Sequence, residues 1–392
     1  MMNTINETFG MYVTDTGQRR RMLVLIHLLV SLMLAMGATS ATGVMAQNMD
    51  HDEMEMGTPT SGTTPGSESM PGMDMSGMGE AGSGGHDMSP VDTSNATVAP
   101  NDARGNQLLE PTIVDGVKEF QLTTSVIEWS ILPDVQVGAY AYNEQVSGPL
   151  IRVIAGEAIR INVTNDLPEP TSVHWHGLII PNEMDGAAGI TQPPILPGET
   201  FTYAFTVPET PGTFFYHTHF AADRQQALGL YGAFIIDSAD QAVVDYDQRY
   251  IIQLGEWRVD NGETLPAMEL EGLLPNYFTI NGKSYPETET IQMEVGDTAL
   301  FRFIGTGQFI HPMHIHGGPF TIVGTDGNPV PETAQLQKDT VLVGPGERYD
   351  VLWTALEPGT WLIHCHINHH ITNNGEEVDG AGGLTMLIEV SD

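Results

Sequence analysis

The sequence predicts an all-β protein made of two tandem β-sandwich domains after a disordered N-terminal tail. Three observations carry that prediction. From about residue 107 the chain runs in short alternating segments, such as Ile151-Arg152-Val153-Ile154 and Ile159-Arg160-Ile161-Asn162-Val163, punctuated by Gly, Pro and Asn. A period of two buries one face of a strand, and no helical period competes with it. The same landmarks then occur twice in the same order, while residues 47–106 hold almost no branched apolar side chain with which to build a core.

Residues 1–46 are read as an export signal. Arg19, Arg20 and Arg21 precede an apolar run from Met22 to Met36, and Val44-Met45-Ala46 follows as a small-x-small cleavage site. The run is short for a membrane span, and the paired arginines suit twin-arginine export; an uncleaved anchor is the alternative. The expected location is therefore exported: periplasmic, cell-surface or extracellular. Residues 47–106 form the expected disordered tail, with Met49, Met54, Met56, Met70, Met73, Met75, Met78 and Met88 beside His51 and His86. Thioethers suit Cu(I), so this string either collects that ion or is a solvated linker.

The remainder divides into residues 107–240 and 241–392. Gly156 stands eighteen residues before His174-Trp175-His176-Gly177, and Gly296 eighteen before His314-Ile315-His316-Gly317. Pro197-Gly198 leads to Gly212 and His217-Thr218-His219, as Pro345-Gly346 leads to Gly359 and His364-Cys365-His366. Ordered landmarks of this kind argue for duplication of one unit, with the joint between Asp237 and Tyr250.

A net charge of −36 with three lysines excludes nucleic acid and anionic membranes as partners. It favours cationic reductants or metal ions, or records a salty habitat. The single cysteine, Cys365, excludes an internal disulfide and, among histidines, reads as a metal ligand.

Of fourteen histidines, His27, His51 and His86 precede the body, and the other eleven sit in four short clusters. In a strand, residues i and i+2 face the same way, so each His-x-His presents two imidazoles together. Four pairs supply eight ligands, enough for three metals where the two copies meet. Cys365 faces the other side and, with His311 and His370, makes the two-imidazole, one-thiolate set of a blue-copper site. In the first copy those three positions are Thr171, Thr218 and Asp223, so only the second domain is expected to carry that site, with both threonines as ordinary strand residues.

With these motifs the chain resembles the multicopper oxidases, specifically two-domain laccase-like members, over about residues 107–392. The resemblance implies cupredoxin-like Greek-key domains and four coppers per functional unit. It implies that His174 and His314 hold the type 2 copper, His176, His217, His219, His316, His364 and His366 the type 3 pair, and His311, Cys365 and His370 the type 1 copper. Asp185, in Met184-Asp185-Gly186, matches a family acid that helps move protons. Two departures stand out. Residues Ile371 to Gly383 interrupt the usual spacing after the type 1 histidine; if they loop out, Leu384 takes the axial place, with Met386 the alternative. Ile371 also stands where many relatives have a proton-delivering acid, and His369 has no family role.

The implied activity is laccase-like: single electrons from a small phenolic or aromatic reductant, or from Cu(I), Mn(II) or Fe(II), reduce dioxygen to water. A cuprous oxidase in copper tolerance is the alternative, followed by a copper nitrite reductase and a non-enzymatic copper buffer. The resemblance also implies a homotrimer, because a short joint leaves the ligand faces of two side-by-side domains unable to meet within one chain.

Overall fold

The computed structural model describes residues 87–239, 245–269 and 272–392. The export signal and residues 47–86 of the expected tail lie outside the described residues. Among those described, no helix is long and apolar enough to cross a membrane.

Two Greek-key sandwiches follow one another, and their ligand-bearing sheets are built to one plan. In the first, the strands run in the order Gly148–Ile154, Tyr231–Asp237, Gly212–His217 and His174–His176. In the second the order is Thr290–Glu294, Thr385–Ser391, Gly359–Cys365 and His311–Ile315, with Thr340–Val343 added at the edge. Both begin with a parallel pair and continue antiparallel. Even the register repeats: His174 stands opposite His217 as His314 stands opposite His364. The expected duplication is thus visible strand by strand, in the cupredoxin-like arrangement.

Alternation explains why these strands hold their faces. In His174–His176 the middle residue, Trp175, turns inward and is 1% exposed, against Tyr203, Phe205, Tyr216 and Phe234. A buried tryptophan of this kind is worth about 3–5 kcal/mol relative to alanine. The imidazoles on either side are thereby forced outward, because a one-residue slip would bury them.

The two sandwiches share material. Trp257 of the second packs with Ile127, Trp129 and Ile131 of the first, and Trp129 Nε1 donates to Gly282 O at 2.7 Å. Arg302 donates to Thr213 Oγ1 at 2.6 Å and to Asp350 Oδ2 at 2.7 Å. The first sandwich ends its last strand at Asp237 and the next strand begins at Gln248, inside the span expected for the joint.

One boundary differs from expectation. The tail was expected to run to residue 106, yet residues 87–106 form a strap on the body. Thr97–Val98 pairs parallel to Val117–Leu132, Val91 N–H donates to Thr264 O, and Ala99 N–H donates to Glu128 O. The buried Lys283 ammonium lies 4.8 Å from the centre of the Trp129 ring and donates to Ser130 O at 2.6 Å and Asn101 O at 3.1 Å. At Gly105 a Cβ would stand 2.0 Å from Val146 O, so only glycine passes there. Main-chain hydrogen bonds hold much of this strap, and composition does not report them.

Candidate metal centre

The outward histidines gather into two matching half-sites. In the first, His174, His176 and His217 bring ring nitrogens within 4.8 Å of one another, and in the second His314, His316 and His364 do the same. His219 and His366 complete the sets as exposed rings, 5.6 Å from His174 and 5.7 Å from His314 between ring centres. Facing nitrogens are 3.3 Å apart for His176 Nδ1 and His217 Nε2, and 3.0 Å apart for His316 Nε2 and His364 Nε2.

Backbone carbonyls orient the rings. His217 Nδ1 lies 2.8 Å from Thr218 O and His364 Nδ1 2.9 Å from Cys365 O, which leaves Nε2 facing outward in each. His174 Nδ1 lies 2.8 Å from Asp185 O, and His314 Nδ1 2.7 Å from Asp339 O. A histidine ligand held through its other nitrogen has a fixed tautomer and direction. The Asp185 carboxylate is also 3.5 Å from His174 Nδ1, and the turn carrying it is tight, since a Cβ on Gly186 would fall 1.8 Å from Val173 O. Asp339 is the counterpart of Asp185 that sequence spacing did not single out.

Burial favours the neutral form of four of these imidazoles. It lowers His217 to about 3 and His176 to about 4, with Arg348 adding repulsion at His176, and it pushes His316 and His364 below the usual range. Neutral imidazole is the form that binds a metal.

The third group is His311, Cys365 and His370, wholly buried. Cys365 Sγ is 3.5 Å from His370 Nδ1 and 4.0 Å from His311 Nδ1, and the two Nδ1 atoms are 3.1 Å apart. Burial raises the Cys365 thiol to about 12 and lowers His370 to about 3. A buried soft donor and two imidazoles converging within 4.8 Å fit a soft metal and have no comparable use in packing. The far nitrogen of His311, Nε2, lies 2.5 Å from Glu256 Oε1. Gln308 N–H donates to the other Glu256 oxygen at 3.2 Å, and Gly307 makes room, because its Cβ would stand 1.7 Å from Glu256 Oε2. Glu256 was not singled out from the sequence, being far from the histidine motifs along the chain.

Residues 371–383 do loop out. Asn373 anchors them, accepting from Ser284 Oγ at 2.6 Å and Gly383 N–H at 3.0 Å. Leu384 then returns beside the ligands: its N–H donates to His370 O at 2.9 Å and its carbonyl accepts from Cys365 N–H at 3.1 Å. Met386 is buried one strand position pair further on, opposite Ile363. His369 is exposed, beside His370.

The equivalent place in the first sandwich is filled by hydrogen bonds. Thr171 and Thr218 hydroxyls lie 2.9 and 2.7 Å from Gln225 Oε1, and all three side chains are buried. These threonines are therefore not ordinary strand residues: the Gln225 carboxamide, delivered by the helical turn Ala222–Gln225, joins them where a thiol and an imidazole stand in the second copy.

Comparisons agree with this geometry. Two family models, both described as multicopper oxidase, match residues 123–241 and 261–374. The chain is 31% identical over 297 residues to Laccase-1 of Cryptococcus neoformans var. grubii, covering 67% of this chain and 46% of that protein. It is 33% identical over 251 residues to the multicopper oxidase MmcO of Mycobacterium tuberculosis, covering 56% of this chain and 48% of that protein. The chain thus spans about half the length of the curated relatives it matches. The crystal structure of a blue copper oxidase from Nitrosomonas europaea superposes with a TM-score of 0.63 at 35% identity, covering 69% of this chain and 85% of that one.

Proposed function

Since this chain belongs to the multicopper oxidases, we propose that it takes single electrons from a reductant and reduces dioxygen to water. The observation that carries this reading is the His364-Cys365-His366 tripeptide, which joins the buried Cys365 group to a histidine half-site through a few covalent bonds. In this reading His311, Cys365 and His370 would hold the type 1 copper, with the buried Leu384 beside them. His174 and His314 hold the type 2 copper, and the remaining six paired histidines hold the type 3 pair. Bound copper supplies the one-electron chemistry and the site of dioxygen reduction. The protein supplies direction and dryness: carbonyls of Thr218, Cys365, Asp185 and Asp339 aim the rings, and burial favours the neutral form of His176, His217, His316 and His364. The Asp185 carboxylate, beside His174, is positioned to carry protons to that half-site.

The reductant class we favour is phenolic or aromatic. Cu(I) is a second reading with its own support, and Mn(II) and Fe(II) share its charge logic. The methionine-rich stretch joins the body at Asp87, where Arg224 donates to Asp87 O and Ser89 O. The neighbouring Asp223 carbonyl accepts from Gln308 Nε2, and Gln308 N–H reaches Glu256 beside His311. The thioethers of Met49, Met54, Met56, Met70, Met73, Met75 and Met78 are soft donors that suit Cu(I), and they support this second reading. The signal-like residues 1–46 support export, to the periplasm, cell surface or medium.

A homotrimer is part of the same reading. Among the described residues, each metal-capable group draws its members from one repeat only, and the second half-site borders an open cavity of about 650 Å³ that includes Lys338 and Asp339. A head-to-tail ring of three chains would let each half-site meet the other kind on a neighbour.

The test is to count copper per chain and to measure oxygen uptake with a phenol and with Cu(I). Four coppers, an intense blue colour abolished by Cys365→Ser, and oxygen uptake support the oxidase. Copper binding without oxygen uptake would leave a metal store, and nitrite reduction without oxygen uptake would indicate a nitrite reductase.

A further inference from the structure

The Cys365 group is closed on almost every side. His311 and Cys365 are 0% exposed and His370 is 3% exposed, so a reductant in solution has next to no ligand surface to touch. The far side of His311 ends on Glu256, itself buried. One face of His370 is covered by Phe278, stacked at 4.1 Å between ring centres and 1% exposed. His370 Nδ1 is turned inward to Cys365 and His311, which leaves its outer edge toward the remaining neighbour, His369. The His369 ring stands edge-on to it at 4.3 Å and 83°, and His369 is exposed. Among the described residues, it is the one exposed ring in contact with the His311 or His370 imidazole.

Its position is fixed by backbone as well as by rings. His369 and His370 share the single turn Asn368–Ile371, whose carbonyls accept from Thr372 Oγ1 at His369 and from Leu384 N–H at His370. The turn cannot swing away without breaking the bond that brings Leu384 to the site. His369 also lies 6.0 Å from the Phe278 ring, so the three rings His369, His370 and Phe278 form one packed group reaching from the surface to Cys365.

We propose that His369 is the contact residue for the reductant: a small aromatic donor stacks on its exposed imidazole, and the electron passes through the His369–His370 ring contact. This rests on the proposed type 1 role of His311, Cys365 and His370. The donor loses one electron, a phenol also releases its proton to water, and the copper held by those ligands gains that electron. A planar π-system suits this surface because aromatic rings pair offset or edge-on, and the imidazole presents such a partner where aliphatic cover would not.

The experiment compares wild-type holoenzyme with His369→Leu and His369→Phe. Three quantities are read: the blue absorption, the reduction potential, and the anaerobic rate at which hydroquinone bleaches the blue band. Leu is expected to slow bleaching about tenfold, the loss of one good aromatic contact, while Phe restores it to within about threefold. Blue absorption and potential stay at wild-type values in both. An unchanged rate with Leu overturns the proposal, and a faster rate overturns it too, by showing that His369 is only a cover. A slower rate accompanied by a shifted band or potential assigns His369 to holding the site together instead. Absence of any blue band in the wild-type holoenzyme would remove the type 1 reading itself, a different failure from normal kinetics in a blue variant.

Discussion

Glu256 Oε1 stands 2.5 Å from His311 Nε2, a buried carboxylate that among the described residues meets no lysine or arginine and is satisfied by an imidazole and the Gln308 N–H. This leaves Nδ1 of His311 facing Cys365 and adds a negative charge beside the proposed type 1 copper. Negative charge favours the cupric state. Glu256→Gln keeps the shape and removes the charge, so the reduction potential of the blue centre should rise. A charged hydrogen bond of about 1.5 kcal/mol corresponds to about 65 mV for one electron. Potentiometric titration of the blue band checks this, and a fall in potential would contradict it.

Removal of residues 47–86 should leave folding and phenol oxidation near wild type, because none of the proposed ligands lies there. Extending the deletion to residue 105 should lower stability by about 2–4 kcal/mol, since it removes buried Val91 and Ala99 from the core and strips partners from Lys283 and Arg224. Urea denaturation of the two truncations distinguishes them. Equal midpoints would mean that the strap contributes nothing.

Lys283 offers a pH signature. Burial and the Arg104 guanidinium pull its ammonium down to about 8 from an ordinary 10.5. Between those values the unfolded chain binds the proton and the folded chain does not, so stability contributed by this group rises with pH across that window. The gain should be on the order of 1 kcal/mol, and Lys283→Met should flatten it. Denaturant midpoints from pH 7.5 to 10.5 for both proteins supply the comparison.

Shared half-sites would show as complementation. One variant lacks His174 and His176, the other His314 and His316, and each alone should be inactive. Co-refolded with copper, mixed trimers should regain part of the oxygen uptake, and light scattering should report three chains. Full activity from a wild-type monomer would place the whole cluster inside one chain.

The chemistry was legible where it is carried by residue type at short spacing. His-x-His in alternating strands can point only one way, so the four clusters and the odd cysteine pointed to the three side-chain groups that converge in the fold. The repeated register of His174 with His217 and His314 with His364 had the same origin, in the matched glycine spacings. What stayed hidden depends on approach through space. Glu256 comes to His311 from a strand 55 residues away, Asp339 acts through its carbonyl, and Gln225 meets Thr171 and Thr218 only because a helical turn folds back over them. The strap from Asp87 to Asn106 escaped notice for a related reason: backbone groups secure it, and those are the same in every sequence.

The Gln225 network also acts as a ratchet on descent. If the first sandwich once carried a cysteine site like the second, its loss is now hard to reverse by single steps. Returning His at Thr171 or Cys at Thr218 alone would take from the buried Gln225 Oε1 one of its two hydroxyl donors and crowd a closed space, at a cost of about 1 kcal/mol for the lost hydrogen bond. Recovery needs at least three coordinated changes, one of them in the turn that supplies Gln225. Asymmetry between the two copies is therefore locked in by packing, independently of any advantage that a single electron-accepting site confers.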